Sequence, residues 1–260
     1  MHEFSLYGQI PQNEQPRLLQ QLVGVTRMKP QAFQELHLVF RSQVPSGIPN
    51  IPSSGEASTK QDVQRIAKML TANLYFVQVI GEIEKPSGTT LDDADMANND
   101  DFRDSQKDIS WYFEFKDTPD PGKQAVSGRL LSRIPIEDGN IVKFMKSFGY
   151  DYVNRYLVKG DRFYDQDTTL SLHQLYRIPE AKGNEAEDWS FAKKDDAVSL
   201  FDISGAYILH VSIEAVDGSK AELKDRASAQ LLAMRDTLKQ AVALTPGDRL
   251  ALDTRGPARR

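Results

Sequence analysis

Apolar and polar residues alternate with a period of two along much of this sequence, and no other feature limits its fold as strongly. The clearest case is 109–116, where Ile, Trp, Phe and Phe alternate with Ser, Tyr, Glu and Lys. Successive side chains of a β-strand point to opposite faces of a sheet, so this pattern predicts strands. At least eight strands are expected, from the candidates 3–10, 33–41, 74–84, 109–116, 129–134, 150–158, 162–165, 169–178 and 207–216.

A tight turn is predicted between two of these candidates. Lys159, Gly160 and Asp161 separate 150–158 from 162–165. Glycine readily adopts the positive φ that a short hairpin turn requires. We therefore expect a β-hairpin centred on Gly160.

Two shorter segments show helical spacing instead. Residues 12–23 carry leucines on one side, and Gly24 is a suitable residue to end that helix. Apolar residues recur at intervals of three and four within 140–148, followed by Gly149. The sequence predicts a short helix in each place.

The longest helical pattern lies near the C-terminus. Apolar residues step by three and four over 223–242, behind a capping box formed by Ser219 and Glu222. Pro246-Gly247 is expected to end this helix. Alternation in 250–253 predicts a short closing strand.

Strands 33–41 and 74–84 are apolar on both faces over part of their length, as expected where a sheet is covered or closed. Many strands, few helices and no βαβ rhythm predict a mainly β (α+β) chain. Its expected architecture is a closed or strongly curved antiparallel β-barrel with two or three flanking helices. We expect a single domain over 1–255, polar insertions at 44–62, 85–108 and 179–197, and a flexible end at 256–260.

Charge and composition exclude several classes of protein. With 37 acidic and 32 basic residues the net charge is −5, so a general nucleic-acid surface is not expected. The absence of Cys excludes disulfides and sulfur-ligated zinc, and it fits a reducing compartment. The N-terminus lacks a signal-peptide pattern, and no apolar run approaches the roughly 20 residues of a membrane helix. An intracellular chain with no membrane span is predicted.

Few residues suggest catalysis. No P-loop, dinucleotide-binding or nucleophile-elbow motif is present. His37, His173 and His210 fall in predicted strands, where a barrel could bring them together as metal ligands or acid–base groups. The simpler interpretation is that these imidazoles pack or form hydrogen bonds within the sheet, and we expect no cofactor.

The segment 85–108 concentrates the negative charge, because it holds seven Asp and only three basic residues, a net charge of −4. Clustered carboxylates suit Ca²⁺. The segment does not match an EF-hand loop, however, because Ala97 occupies a ligand position and neither the turn glycine nor the closing glutamate follows. A solvated, self-repelling insertion is the preferred interpretation.

A metal-dependent triphosphate-processing enzyme is the alternative function. Triphosphate-tunnel enzymes line a closed antiparallel barrel with alternating glutamates, which hold a divalent metal, and with basic residues, which hold phosphates. Glu82 and Glu84 alternate here, and Glu214 lies in the last long strand. The first strand offers only Glu3, so the paired carboxylates that this chemistry needs are missing.

Trp189 and Phe191 lie within the charged insertion 179–197, where no periodic pattern explains their burial. Such aromatic residues often fold back onto the core. They are also favoured at protein interfaces, and we select them as candidate partner-binding residues.

Four stretches, taken in order, resemble a known family. The chain begins MHEFSLYGQIP, continues with LHLVF at 36–40, contains Lys159-Gly160 within 152–163, and ends its long helix near DRL at 248–250. These stretches resemble fungal Mediator subunit 18, a component of the coactivator that bridges activators and RNA polymerase II. The LYGQIP string is the most distinctive, and the resemblance spans most of the chain outside the three insertions.

The resemblance implies a closed antiparallel barrel that is related to triphosphate-tunnel folds but lacks their activity. It also implies a heterodimer with Mediator subunit 20 and a docking surface for the C-terminal helix of Mediator subunit 8. Both partners belong to the head module, which acts with the RNA polymerase II machinery in the nucleus. We therefore expect a non-enzymatic scaffold, in agreement with the missing carboxylates.

Overall fold

The computed structural model describes residues 1–43, 74–83, 109–136, 140–178, 198–218 and 220–256. The strands in these ranges are β1 (His2–Ile10), β2 (Gln31–Ser42), β3 (Phe76–Glu82), β4 (Ser110–Lys116), β5 (Ser127–Ile136), β6 (Tyr150–Asp165), β7 (Thr168–Arg177), β8 (Ser199–Leu200) and β9 (Tyr207–Ala215). The α-helices are α1 (Gln15–Thr26), α2 (Ile141–Ser147) and α3 (Ala221–Leu238), and a 3₁₀ turn at Gln12–Glu14 precedes α1.

Eight of these strands close into an antiparallel barrel. Their order is β6-β2-β3-β4-β5-β1-β9-β7, and β7 pairs with β6 to complete the circle. The short strand β8 adds to β7 beside Tyr176 and Arg177. The predicted closed barrel with flanking helices is thereby confirmed.

The apolar side of the strands lies outside the barrel, beneath the helices. Phe4 and Leu6 of β1 pack in one cluster with Leu22 of α1 and Leu231 of α3. Burying such side chains against a helix stabilises the fold by about 1.5–3 kcal/mol each. The polar side of the same strands therefore faces the lumen.

A second apolar cluster covers another part of the wall. Leu36 and Leu38 of β2 and Val79 of β3 pack there with Ile141 and Met145 of α2. These two helix residues are four apart, which places them on one face of α2. The Asn140 side chain caps this helix by accepting a hydrogen bond from the backbone N–H of Lys143 at 3.0 Å.

The hairpin predicted at Gly160 is wrong. Strand β6 runs without interruption through this position, and the turn follows at Gln166, whose φ is 53°. Gly160 pairs with Phe33 of β2 and with His173 of β7. A Cβ at Gly160 would collide with the backbone carbonyl of Leu172, so glycine here permits close packing of three strands rather than a turn.

Two predicted helix ends also differ. Helix α1 continues past Gly24 to Thr26, and Arg27 ends it in the left-handed conformation with φ 55°. Helix α3 ends at Leu238, well before Pro246, although the following Val242 remains buried. The periodic pattern continued because the chain beyond the helix still packs on the same core.

The N-terminus of α3 and the segment that follows this helix also differ from the sequence prediction. Lys220 is the N-cap of this helix, with no side-chain capping bond, and Ser219 lies outside the described residues. Residues 250–252 form a turn instead of a strand, and Asp253 has no regular secondary structure. Close to this end, Thr245 makes an isolated bridge to Tyr7.

Most of the predicted insertions lie outside the described ranges, together with Glu84, Trp189 and Phe191. None of the helices in the described part of the chain has the length and apolar character needed to cross a lipid bilayer.

Candidate functional site

The barrel contains a polar cavity of about 750 Å³ at one end, which we call the lumen cavity. This is the end at which β1 begins and β9 finishes. Charged side chains from several strands line this cavity, because every second residue of a barrel strand faces the interior. They are Glu3, Glu35, Glu82, Glu114, Lys116, Arg133, Arg162 and Glu214.

Glu3 occupies the most buried position in this set, with 2% of its side chain exposed. Its Oε2 accepts a hydrogen bond from Arg129 Nε at 2.6 Å, and its Oε1 lies 3.4 Å from Lys116 Nζ. Burial disfavours the charged carboxylate, but Lys116 and Arg129 outweigh that effect and hold the pKa of Glu3 well below its usual value. Glu3 is therefore an ionised member of a buried ion-pair network.

The network continues through Glu114. Lys116 Nζ lies 3.0 Å from Glu114 Oε1, and Arg133 donates to Glu114 Oε2 at 2.9 Å. The same Arg133 contacts Glu214 at 3.2 Å and stacks over the Tyr112 ring, 5.1 Å from its centroid. Carboxylates and bases thus alternate from Glu3 to the rim of the cavity.

A separate ion pair holds Glu35 on the opposite wall. Arg162 donates to Glu35 Oε1 at 2.7 Å while its guanidinium lies over the Phe33 ring, 4.2 Å from the centroid. Burial alone would raise the pKa of Glu35. The hydrogen bonds from His37 and Arg162 lower it to about 2 instead, so Glu35 is also ionised.

The three strand histidines all face the lumen, but each has its own packing partner. The His37 ring stacks on Tyr156 at 4.8 Å and its Nδ1 lies 2.9 Å from Gln78 Oε1. The His210 ring stacks on Tyr7 at 4.7 Å. Burial lowers the pKa of His210 to about 3, which keeps that ring neutral.

His173 contacts Ser171 Oγ at 3.2 Å and lies edge-on to Phe33. Burial lowers its pKa to about 4. Among the described side chains, no group of three or more His, Asp and Glu residues is arranged to hold a metal ion. The arrangement favours the interpretation that the three histidines pack within the barrel.

The glutamates of the alternative enzyme are only partly brought together. Glu82 and Glu214 both line the lumen cavity, whereas Glu84 lies outside the described residues. Glu214 is engaged by Arg133, and Glu82 lies at the exposed end of β3. A triphosphate needs a cationic cavity, whereas the strands here contribute five glutamates and three basic residues to the described lining.

The opposite end of the barrel holds a second cavity, of about 530 Å³, which we call the apolar cavity. Its walls are the end of β1, the end of β7, the start of β9 and the segment 243–252. Phe201 lines it, and both Ile203 and Leu250 lie next to lining residues in the chain. All three have exposed side chains, and Ile203 is 98% exposed.

Sequence reasoning did not find the lumen network, although one signal was present. Glu114 and Lys116 occupy the polar side of the most regular alternating segment, and a one-sided strand is normally assigned to solvent on that side. Arg129 is 126 positions from Glu3 and meets it only because β1 and β5 pair in that register.

Comparison with known proteins places the chain in a family. A family model described as "Med18 protein" matches residues 2–255. Mediator of RNA polymerase II transcription subunit 18 from Coccidioides immitis is 36% identical over 98% of this chain and 99% of its own length. The protein of the same name from Neosartorya fischeri is 33% identical with the same coverage.

A solved structure shares the fold. A chain in the structure of the Schizosaccharomyces pombe Mediator head module matches with a TM-score of 0.65 at 18% identity. The match covers 95% of this chain and 99% of that one. At this identity the likeness concerns the fold alone.

Proposed function

This chain belongs to the Med18 family, and we propose that it is a structural subunit of the Mediator coactivator complex. It would couple activators to RNA polymerase II by holding partner subunits. The observation that carries the proposal is the match to curated subunits 18 over 98% of the chain. Family membership extends over the whole barrel rather than a single motif.

We further propose that the subunit is not an enzyme. Four of the five glutamates that line the described lumen cavity, Glu3, Glu35, Glu114 and Glu214, contact basic side chains of the same chain. A carboxylate neutralised by the protein itself is a poor ligand for a catalytic metal, because the metal would have to displace the existing ion pair. The network instead fixes the relative positions of the barrel strands.

The proposed partners are Mediator subunit 20, as a heterodimer, and the C-terminal helix of Mediator subunit 8, within the head module in the nucleus. The family resemblance supports these partners. Exposed apolar side chains at the apolar cavity give the barrel a surface suited to protein contacts. Direct reading of DNA is not part of the proposal, since the chain carries a net charge of −5.

Co-expression tests the partners directly. The full chain, tagged, is co-expressed with subunits 20 and 8 from the same source, and the complex is purified at 0.15 M and about 0.5 M salt to remove weak ionic contacts. We expect both subunits to co-purify in constant ratio. Failure to retain either one would contradict the assignment.

Trp189 and Phe191 are proposed as contact residues within the partner interface. The Trp189→Ala/Phe191→Ala variant should lose partner binding while retaining a cooperative thermal transition. Partner loss together with loss of cooperativity would place the two rings in the core instead.

The enzyme alternative has a direct assay. Triphosphate hydrolysis is measured with Mg²⁺ and with Mn²⁺ for the native chain and for a variant in which the three candidate glutamates are replaced, Glu82→Gln/Glu84→Gln/Glu214→Gln. We expect no turnover above that of a buffer control. Turnover that disappears in the variant would overturn the scaffold-only proposal.

A further inference from the structure

The apolar cavity is bounded by a turn with a well-defined conformation. In the segment 201–206, Ser204 N–H donates to Asp202 Oδ1 at 2.9 Å and Gly205 N–H donates to the Asp202 carbonyl at 3.0 Å. The buried Gln174 side chain donates to the Gly205 carbonyl at 2.7 Å and fixes the turn to β7. Gly205 has a φ of +68°, a conformation that favours glycine.

This turn holds a large apolar side chain in water. Ile203 is 98% exposed at its apex, and Leu250, between the lining residues Asp248 and Ala251 in the chain, is 79% exposed. Phe201 is half-exposed and lies beneath the Arg177 guanidinium, 5.2 Å from the ring centroid. A flexible loop could turn such a side chain inward, but a hydrogen-bonded turn keeps it available at low entropic cost for binding.

The charged side chains that line the apolar cavity, among the described residues, are Asp202 and Asp248, and both are acidic. One basic group lies nearby, because the Arg177 guanidinium covers the ring of the lining residue Phe201. The remaining polar lining includes the neutral side chains of Gln9 and Gln174. An incoming apolar segment would therefore gain from flanking cationic groups and lose from flanking carboxylates.

Building on the proposed scaffold function, we propose that the apolar cavity and its rim bind a partner protein segment with large apolar side chains flanked by Lys or Arg. The apolar side chains enter the cavity and contact Phe201, Ile203 and Leu250. The basic groups lie beside Asp202 and Asp248. A volume of about 530 Å³ can take several such side chains, since ligand pockets commonly measure roughly 300–1,000 Å³.

The test uses two synthetic peptides of identical length and Leu spacing, one with Lys and one with Glu at the flanking positions. Binding to the full chain is measured by fluorescence anisotropy at 0.15 M salt. We expect the Leu/Lys peptide to bind at least about tenfold more tightly than the Leu/Glu peptide. Equal binding of the two peptides would overturn the proposal.

Variants locate the binding on the surface. Ile203→Asp and Asp202→Lys/Asp248→Lys should each weaken binding of the Leu/Lys peptide by about tenfold or more. The matched control is Val216→Asp, because Val216 is 86% exposed and lines the lumen cavity at the other end. Equal effects of Ile203→Asp and Val216→Asp would show non-specific binding and contradict the site.

The two proposals fail in distinguishable ways. If the native chain does not co-purify with Mediator subunits 20 and 8, the proposed function fails whatever the peptides do. If the native chain assembles with them but Ile203→Asp leaves the affinity for the peptide unchanged, only the proposed site at the apolar cavity is wrong.

Discussion

The two ends of the barrel, built from the same eight strands, differ in the environment of their side chains. At the lumen cavity, buried carboxylates such as Glu3 and Glu35 contact bases of the same chain. At the apolar cavity, Ile203 and Leu250 lie in water although the surrounding backbone is well defined. We expect the lumen end to contribute to the stability of the barrel, whereas the apolar end is the one proposed to bind a partner segment.

The energetic consequences should differ accordingly. Removing one member of a buried ion pair leaves an uncompensated charge in a poorly solvated site, which costs about 3–5 kcal/mol. Changing an exposed apolar side chain usually alters stability by less than about 0.5 kcal/mol. Stability and binding should therefore respond to substitutions at opposite ends of the molecule.

The largest effect is expected from Arg129→Met. The substitution removes the basic group nearest to Glu3, at 2.6 Å, and leaves Lys116 shared between Glu3 and Glu114. It should lower the free energy of unfolding by about 3–5 kcal/mol, with a fall in Tm of about 10 °C. Urea denaturation and thermal scans measure both quantities.

Arg226→Met is the matched control for that experiment. Arg226 pairs with Asp167 at 3.0 Å, but both side chains are exposed. An exposed pair of this kind contributes about 0–1 kcal/mol. Similar decreases in the free energy of unfolding for the two variants would mean that the lumen network stabilises the fold no more than an exposed ion pair does.

The second largest effect on stability is expected from Gly160→Ala. The new Cβ would lie 2.6 Å from the His173 Cα and would collide with the Leu172 carbonyl, so β6 and β7 must separate. Overpacking of this kind costs about 1–3 kcal/mol, measured by urea denaturation. Gly24→Ala, in α1 with nothing within 4 Å of the new Cβ, should be neutral or stabilising.

The pH dependence of the free energy of unfolding should also reflect the titration of buried groups in the lumen cavity. Burial lowers the pKa of His173 from 6.5 to about 4, so the folded state binds this proton less readily than the unfolded state. The free energy of unfolding is therefore highest above pH 6.5 and falls as the pH drops to about 4, with a contribution from His173 of about 3 kcal/mol. Urea titrations at several pH values test this, and His173→Asn should show a shallower fall; parallel curves would contradict the assignment.

Glu35 adds a second, more acidic stage to the same titration. Its pKa is lowered from 4.5 to about 2, so its contribution is fully present above pH 4.5 and is lost as the pH falls towards 2. In Glu35→Gln this acid stage should become smaller, because the lowered pKa values of Glu3 and Glu114 still contribute to it, while the His173 stage between pH 6.5 and about 4 remains. An unchanged acid limb would show that the ion pair to Arg162 contributes little.

The smallest effect on folding is expected from Ile203→Asp. Because this side chain is 98% exposed, the free energy of unfolding should change by less than about 0.5 kcal/mol, while peptide binding is weakened. A loss of more than about 1 kcal/mol would mean that Ile203 belongs to the folded core and would remove the contrast between the two ends.

Much of the fold was predictable from local pattern. Alternation placed the strands within a few residues of their observed bounds, as in 109–116 against Ser110–Lys116. Residues apolar on both faces in 33–41 predicted a covered or closed sheet, and successive residues 35–38 of β2 are buried on both faces within the closed barrel. These predictions succeeded because strand periodicity is a local property of the backbone.

The errors arose where one residue type serves two purposes. Glycine at 160 fits a hairpin turn and equally fits a close approach of neighbouring strands, and only the pairing partners distinguish them. The apolar Val242 continued the helical pattern although the helix had ended at Leu238. Burial selects apolar residues in helices and in irregular segments alike.

The sequence alone determined that this chain forms many two-sided strands, that α3 follows them, and which side of each strand is apolar. Only the tertiary structure decided that the polar side faces inward, and that Glu3 meets Arg129 across the β1–β5 register. It also decided that residues of the turn 201–206 and of the segment 243–252 line one cavity, with the exposed Ile203 and Leu250 next to lining residues in the chain. The reason is that periodicity is encoded within a few residues, whereas closure, register and charge pairing depend on segments far apart in the chain that meet only when the barrel closes.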